Sequence, residues 1–272
     1  MTRVSDDTSK GRESDDAKSH PAGGARDRPH RRDARRDTRL CFARSSEDPG
    51  AATEHQHQLV RVRRRDEPHE PQIGAVTDVK GSWMVTAVTP TPPYSAYSAS
   101  WIGIDGYSSG TVEQIGTEAD WVNGQAVYSA WYEMYPKWSV SIAKVPVTPG
   151  DIMTAEVAYT SKKAFVLTLT NLTTGKSFST TQKSGSAKRS SAEWIVEAPW
   201  SGGTLPLANF GVIPFTGASV TINGNTGWIG DSRWQNDPLT MVGSTGTTLA
   251  VPSSLTAGGS ASAFSVQWWA LN

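Results

Sequence analysis

Residues 125–135 read Gln-Ala-Val-Tyr-Ser-Ala-Trp-Tyr-Glu-Met-Tyr. Valine, tyrosine and tryptophan predominate, as in a strand that fits a pleated, half-buried surface. Strand alternation sends Ser129, Trp131, Glu133 and Tyr135 to one side. A face that mixes aromatic and polar groups is unlike an ordinary core and suits a substrate groove. Similar short runs recur at roughly ten-residue intervals, at 83–88, 100–104, 152–160, 164–172, 193–197 and 264–271. Turn chemistry divides them, in Pro149-Gly150-Asp151, Thr173-Thr174-Gly175-Lys176 and Asn223-Gly224-Asn225. No window shows the apolar spacing of a helix. The pattern predicts an all-β domain packed as an antiparallel β-sandwich of two sheets.

The sandwich is expected over residues 73–272, which hold all 11 tryptophans and all 7 tyrosines. Residues 1–72 have neither, and carry 16 of the 26 Lys and Arg. Such a stretch buries too little apolar surface to offset its ordering entropy, and reads as a disordered charged tail or pro-segment. Its clusters Arg31, Arg32, Arg35, Arg36 and Arg61, Arg63, Arg64, Arg65 are interrupted by Asp33, Asp37, Asp66 and Glu67. With no Trp or Tyr for stacking, nucleic-acid binding is not expected. No apolar run resembles a signal-peptide core or a membrane span, so a membrane partner is not expected either.

All five histidines and the single cysteine lie within residues 1–72. The body therefore has no Ser-His-Asp triad, no Cys-His dyad and no His- or Cys-ligated zinc. Carboxylates, amides, hydroxyls and a few lysines remain for acid-base work. In the segment 101–105, alternation groups Trp101, Gly103 and Asp105 and leaves both isoleucines on the other side. In the segment 193–197 it groups Glu193, Ile195 and Glu197 against Trp194 and Val196. A strand with one wet face accounts for each segment alone, but three in succession with Trp or Glu on the polar side argue for a groove.

The stretches SWIGIDG (100–106), EQIG (113–116), YSAWYEMYP (128–136) and AEWIVE (192–197), in this order, resemble the glutamic peptidases, or eqolisins. The resemblance implies a concanavalin-A-like sandwich of two sheets of about seven strands, with a Gln and Glu pair on its concave face. Position by position, the Gln falls on Gln114 and the Glu on Glu197. Trp101, Asp105, Trp131 and Glu133 match residues flanking the dyad as substrate-binding groups, with Ser129 and Glu193 beside them. Ser129 stands where the family commonly has an acid, and either Glu118 or Asp120 occupies the place of the acid expected shortly after the Gln. The family's opening strand is not visible in residues 59–75, which predicts an unpaired sheet edge. The resemblance further implies an extracellular, monomeric enzyme that acts on polypeptides without cofactor or metal.

Such a dyad has a simple chemistry. A carboxylate can deprotonate water, and a neutral amide NH₂ can donate to the oxyanion that develops on a peptide carbonyl. Glu193, on the same strand face as Glu197, is the rival acid, and the motif selects Glu197. Two other functions remain open at this level. Glu133 and Glu197, if on adjacent strands, would suit a retaining glycosidase, whose carboxyls stand ~5 to 5.5 Å apart. Trp101, Trp131 and Trp138 would suit a non-catalytic, lectin-like carbohydrate-binding module.

Overall fold

The computed structural model describes residues 58–64, 72–90, 95–256 and 261–271, the first segment as backbone only. Its strands in chain order are β1 (Gln58–Arg64), β2 (Val76–Met84), β3 (Ser95–Ala96), β4 (Ala99–Asp105), β5 (Val112–Val122), β6 (Gln125–Tyr135), β7 (Val140–Ser141), β8 (Ile152–Tyr159) and β9 (Ala164–Asn171). They continue with β10 (Lys176–Lys183), β11 (Ala192–Glu197), β12 (Val212–Ile222), β13 (Asn225–Trp228), β14 (Trp234–Pro238), β15 (Met241–Val242), β16 (Thr248–Pro252) and β17 (Phe264–Trp268). No helix occurs among the described residues.

One sheet runs β14-β1-β11-β4-β5-β6-β7, with β3 added beside β5, and has eight strands. The other runs β10-β9-β8-β2-β12-β17-β16-β15, with β13 beside β12, and has nine. Every ladder is antiparallel. The expected all-β sandwich is thus present, with one or two strands more per sheet than predicted.

The largest fully buried side chains include Trp83, Trp194, Phe165, Phe215, Ile102 and Ile115. Each sheet sends one indole to a polar atom of the other. Trp83 on β2 donates Nε1–H to Thr117 Oγ1 on β5 at 2.9 Å, and Trp194 on β11 donates to the Lys80 carbonyl on β2 at 2.8 Å. Buried indoles of this kind remove ~150–250 Å² each from water and still satisfy their N–H. They also fix how one sheet sits over the other. The turn Asn123-Gly124, with φ of 50° and 80°, joins β5 to β6. Two consecutive positive φ angles give the tight hairpin that sets the register of the long β5–β6 ladder.

Two expectations change. The run 83–88 is strand only to Met84, because the strand begins at Val76 in a charged segment, VTDVKGSWM, that lacks simple alternation. More consequentially, β1 comes from within residues 1–72 and pairs with both β11 and β14. An unpaired sheet edge was expected, and β11 instead has β1 paired beside it. Its sequence, QLVRVRR, alternates Val60 and Val62 with arginines, a seven-residue pattern lost when composition is averaged over 72 residues. Residues 1–57, with four of the histidines and the cysteine, lie outside the described residues, as does His69.

Candidate active site

Cross-strand partners in an antiparallel sheet share a face. The registers of β11, β4, β5 and β6 therefore arrange the groove face in rows. Row one is Glu193, Gly103, Gln114 and Glu133; row two is Ile195, Trp101, Gly116 and Trp131; row three is Glu197, Ala99, Glu118 and Ser129. The odd-numbered grouping expected on β4, β6 and β11 is thus present, and Gln114 and Glu197 lie on one face, on opposite sides of the aromatic row.

Row two is an apolar floor. Ala99, Trp101, Trp131 and Ile195 form a cluster separate from the main core, with Leu239 and Val112 packed against it. A β-carbon at Gly116 would stand 2.4 Å from the Ser100 carbonyl and 2.5 Å from the Trp101 β-carbon. Only glycine lets β4 approach here with Trp101 in place.

In row one, Gln114 donates Nε2–H to Glu133 Oε2 at 2.5 Å. Both residues are buried, and Gln114 Oε1 has no hydrogen-bond partner among the described residues. A carboxylate that accepts from the amide fixes which end of the Gln side chain is NH₂ and leaves its second N–H to donate. Glu193 is level with Gln114 but is 1% exposed, and Ser191 Oγ–H donates to its Oε1 at 2.9 Å.

Row three lies differently. Glu197, Glu118 and Ser129 are all partly exposed, so this is the side of the face that opens to solvent. Ser129 Oγ–H donates to Glu118 Oε2 at 3.0 Å. Burial pushes the Glu118 carboxyl up to about 7, and the Ser129 hydroxyl acts in the opposite direction. Asp120, two residues on, accepts from the Ser98 N–H at 3.1 Å. Burial, then the charge of Glu118, lifts it well above the usual carboxylate range. It is Glu118, bonded to Ser129, that occupies the groove row, while Asp120 backs it.

Asp105 departs from its expected role. It is fully buried, and its Oδ2 accepts from the backbone N–H groups of Lys188 and Arg189 at 2.7 and 2.8 Å. Its Oδ1 accepts from the N–H and hydroxyl of Ser190 at 2.9 and 3.0 Å. With four donors from one loop, this buried carboxylate anchors the approach to β11. No local pattern signals this, because the partners lie more than 80 residues away.

The sequence reading also missed Glu113, which points from β5 to the core face beside Gln114. It is fully buried, and among the described residues neither carboxyl oxygen has a well-formed hydrogen bond. Burial pushes it up to about 8, with Ser184 acting against the rise and the charge of Asp105 adding to it. An acid in an otherwise apolar alternation, between Val112 and Ile115, was the available signal.

Both carbohydrate readings lose their geometry. Glu133 and Glu197 are not on adjacent strands, because β4 and β5 lie between them. Three strand spacings and two rows put their α-carbons ~20 Å apart in a flat sheet, too far for a retaining carboxyl pair. Trp101 and Trp131 are 3% and 4% exposed and form the floor, whereas Trp138, 53% exposed, follows β6 outside the three rows. Asn171, a candidate glycan acceptor in Asn171-Leu172-Thr173, is fully buried. Its amide donates to the Pro146 carbonyl and to Asp151, and its oxygen accepts from the N–H groups of Thr173 and Thr174, which makes it a turn residue.

A model of the peptidase A4 family matches residues 68–260. Aspergillopepsin-2 of Aspergillus niger is 37% identical over 134 residues, which are 47% of this chain and 48% of the relative. Scytalidopepsin B of Scytalidium lignicola is 37% identical over 151 residues, 51% of this chain and 57% of the relative. The chain thus spans about half the length of the curated relatives it matches. Among solved structures, scytalido-glutamic peptidase with a transition-state analogue inhibitor is similar with a TM-score of 0.64 at 26% identity, covering 80% of this chain and 100% of that one. Aspergilloglutamic peptidase from Aspergillus niger follows with a TM-score of 0.57 at 30% identity, covering 64% and 99%.

Proposed function

The chain belongs to the peptidase A4 family, the glutamic peptidases its motifs resemble, and from that premise we propose that it is an endopeptidase working in acid with Gln114 and Glu197 as its dyad. A peptide laid over Trp101 has Gln114 on one side and Glu197 on the other. Glu197, ionised, takes a proton from water as the oxygen attacks the scissile carbonyl. The free N–H of the Gln114 amide donates to the oxyanion as the carbon becomes tetrahedral. Protonated Glu197 then passes its proton to the departing nitrogen as the C–N bond breaks, and the carboxylate is regenerated. An oxyanion donor of this kind is typically worth ~3 kcal/mol of barrier.

The observation that carries this reading is a held amide and a partly exposed carboxyl on one face. Two strand spacings and two rows separate the α-carbons of Gln114 and Glu197, ~16 Å in a flat sheet. By register alone Glu193 lies nearer to Gln114, at ~10 Å. It is nonetheless sealed from solvent and engaged by Ser191, whereas a general base must meet water. Glu133 has a supporting part, since it holds the Gln114 amide in the donating orientation.

Acid operation fits the ionisable groups. Burial raises Glu113, Glu118, Asp120 and Asp78, so all four hold protons more tightly in the fold. The reading includes export, a monomer and polypeptide substrates. The test is digestion of a denatured protein at acid pH by the full chain beside Glu197→Gln and Glu193→Gln. Turnover should vanish in the first variant and persist in the second. Equal loss in both would remove Glu197 as the assigned base.

A further inference from the structure

Glu197 acts ionised and Gln114 does not titrate, so the two alone give a rate that climbs with pH and then stays level. Any decline at higher pH needs a second group that works while protonated. Three acids share the rows with Glu197. Glu193 is sealed behind Ser191, and Glu133 is occupied in accepting from Gln114. Glu118 is partly exposed and stands in the row of Glu197, with only the methyl of Ala99 between them on β4. Their α-carbons are two strand spacings apart, ~10 Å, a gap that two glutamate side chains can span.

We infer that Glu118 is a positioning acid that acts through Glu197. As the neutral acid it donates its O–H to the ionised base, and once ionised it sets a second negative charge beside the base and ends turnover. Ser129 selects the oxygen involved. Its hydroxyl donates to Oε2, which leaves Oε1 to carry the proton. Among the described residues the groups that face Glu118 are few: Ser129 from β6, Ala99 and then Glu197 across β4, and Asp120 from its own strand. Row two adds no titratable group, and Ser95 and Ala96 of β3 add none beyond Asp120. Asp120 shares its repulsion with Glu118, so the two titrate as a pair. The upward displacement of Glu118 agrees with an acid that is neutral through the working range.

The inference rests on Glu197 being the base, and one set of pH profiles separates the two claims. kcat/KM is measured against pH for the full chain as wild type, E118Q, E118A, S129A and E197Q. In E118Q an NH₂ still donates to Glu197 but cannot ionise, so the falling limb moves up by one unit or more. That shift reads as about tenfold higher kcat/KM than wild type one unit beyond the wild-type limb. In E118A the donor itself is gone, and the rising limb, which reports ionisation of Glu197, also moves towards neutral pH. S129A removes a donor that favours ionised Glu118 and shifts the falling limb up by less than E118Q does. If E197Q is inactive and E118Q keeps the wild-type falling limb, the inference fails and the dyad stands. Turnover in E197Q would instead overturn the dyad. Should E118Q fail to fold, S129A decides alone, and an unmoved limb counts against the inference.

Discussion

The two faces of β5 carry opposite solutions to the same problem. On the groove face, Gln114, Glu118 and Asp120 each have a defined hydrogen-bond partner, and Glu118 is partly exposed. On the core face, one residue from Gln114, Glu113 is fully buried between the sheets and has no well-formed hydrogen bond among the described residues. The lesson is that neighbouring polar residues in one strand can be separated into function and stability. Changes on the first face should alter turnover and leave melting nearly unchanged, and changes on the second should do the reverse.

The strongest test of that division is the dyad. Glu197→Gln should lower kcat by about 10³-fold or more, and Gln114→Ala by about 10²- to 10³-fold, with melting temperature within a few degrees of wild type. A large loss of melting temperature in either would break the separation. Next comes Gly116→Ala, the one position where both faces should fail together. Its new methyl would push β4 from β5, costing roughly 1–3 kcal/mol of stability and displacing Trp101, as urea unfolding and kcat/KM measured together would reveal.

Glu113→Gln should act on stability alone. The folded protein keeps the Glu113 proton up to about 8, whereas the unfolded chain releases it near 4.5. Between those values the fold binds the extra proton, so stability is greatest in acid and falls as pH rises through the window. At pH 7 the group costs about 3 kcal/mol, which the variant should recover, and the two proteins should converge below pH 4.5. Identical melting curves at pH 7 would show that the carboxyl finds a partner or water. The smallest effect sharpens the role of Glu133. Glu133→Gln keeps the shape but can turn its own NH₂ towards Gln114, so kcat should fall about tenfold while KM and melting hold.

Strands β4, β6, β9 and β11 were legible because alternation of apolar and polar residues is a local property. The grouping of Trp131 with Glu133, and of Glu193 with Glu197, followed from the same rule. What stayed hidden depends on distant partners. Asp105 looked like a groove acid because it shares a face with Trp101, yet its binding loop arrives more than 80 residues later. The row assignment of Glu193 and Glu197 against Gln114 needed the β11–β4–β5 registers, which no single strand encodes. β1 was concealed because a charged segment lacking aromatics reads as unfoldable until a waiting sheet edge supplies the pairing.

The loop that Asp105 grips leads directly into β11, and a slip of that strand by a single position would turn Glu197 inward and Val196 outward. Four donors from Lys188 to Ser190 closing on one carboxylate work as an index mark for the whole strand. Insertions before Lys188 should therefore be absorbed harmlessly, whereas a single residue added between Ser190 and Glu193 would erase the enzyme without touching any group that meets substrate.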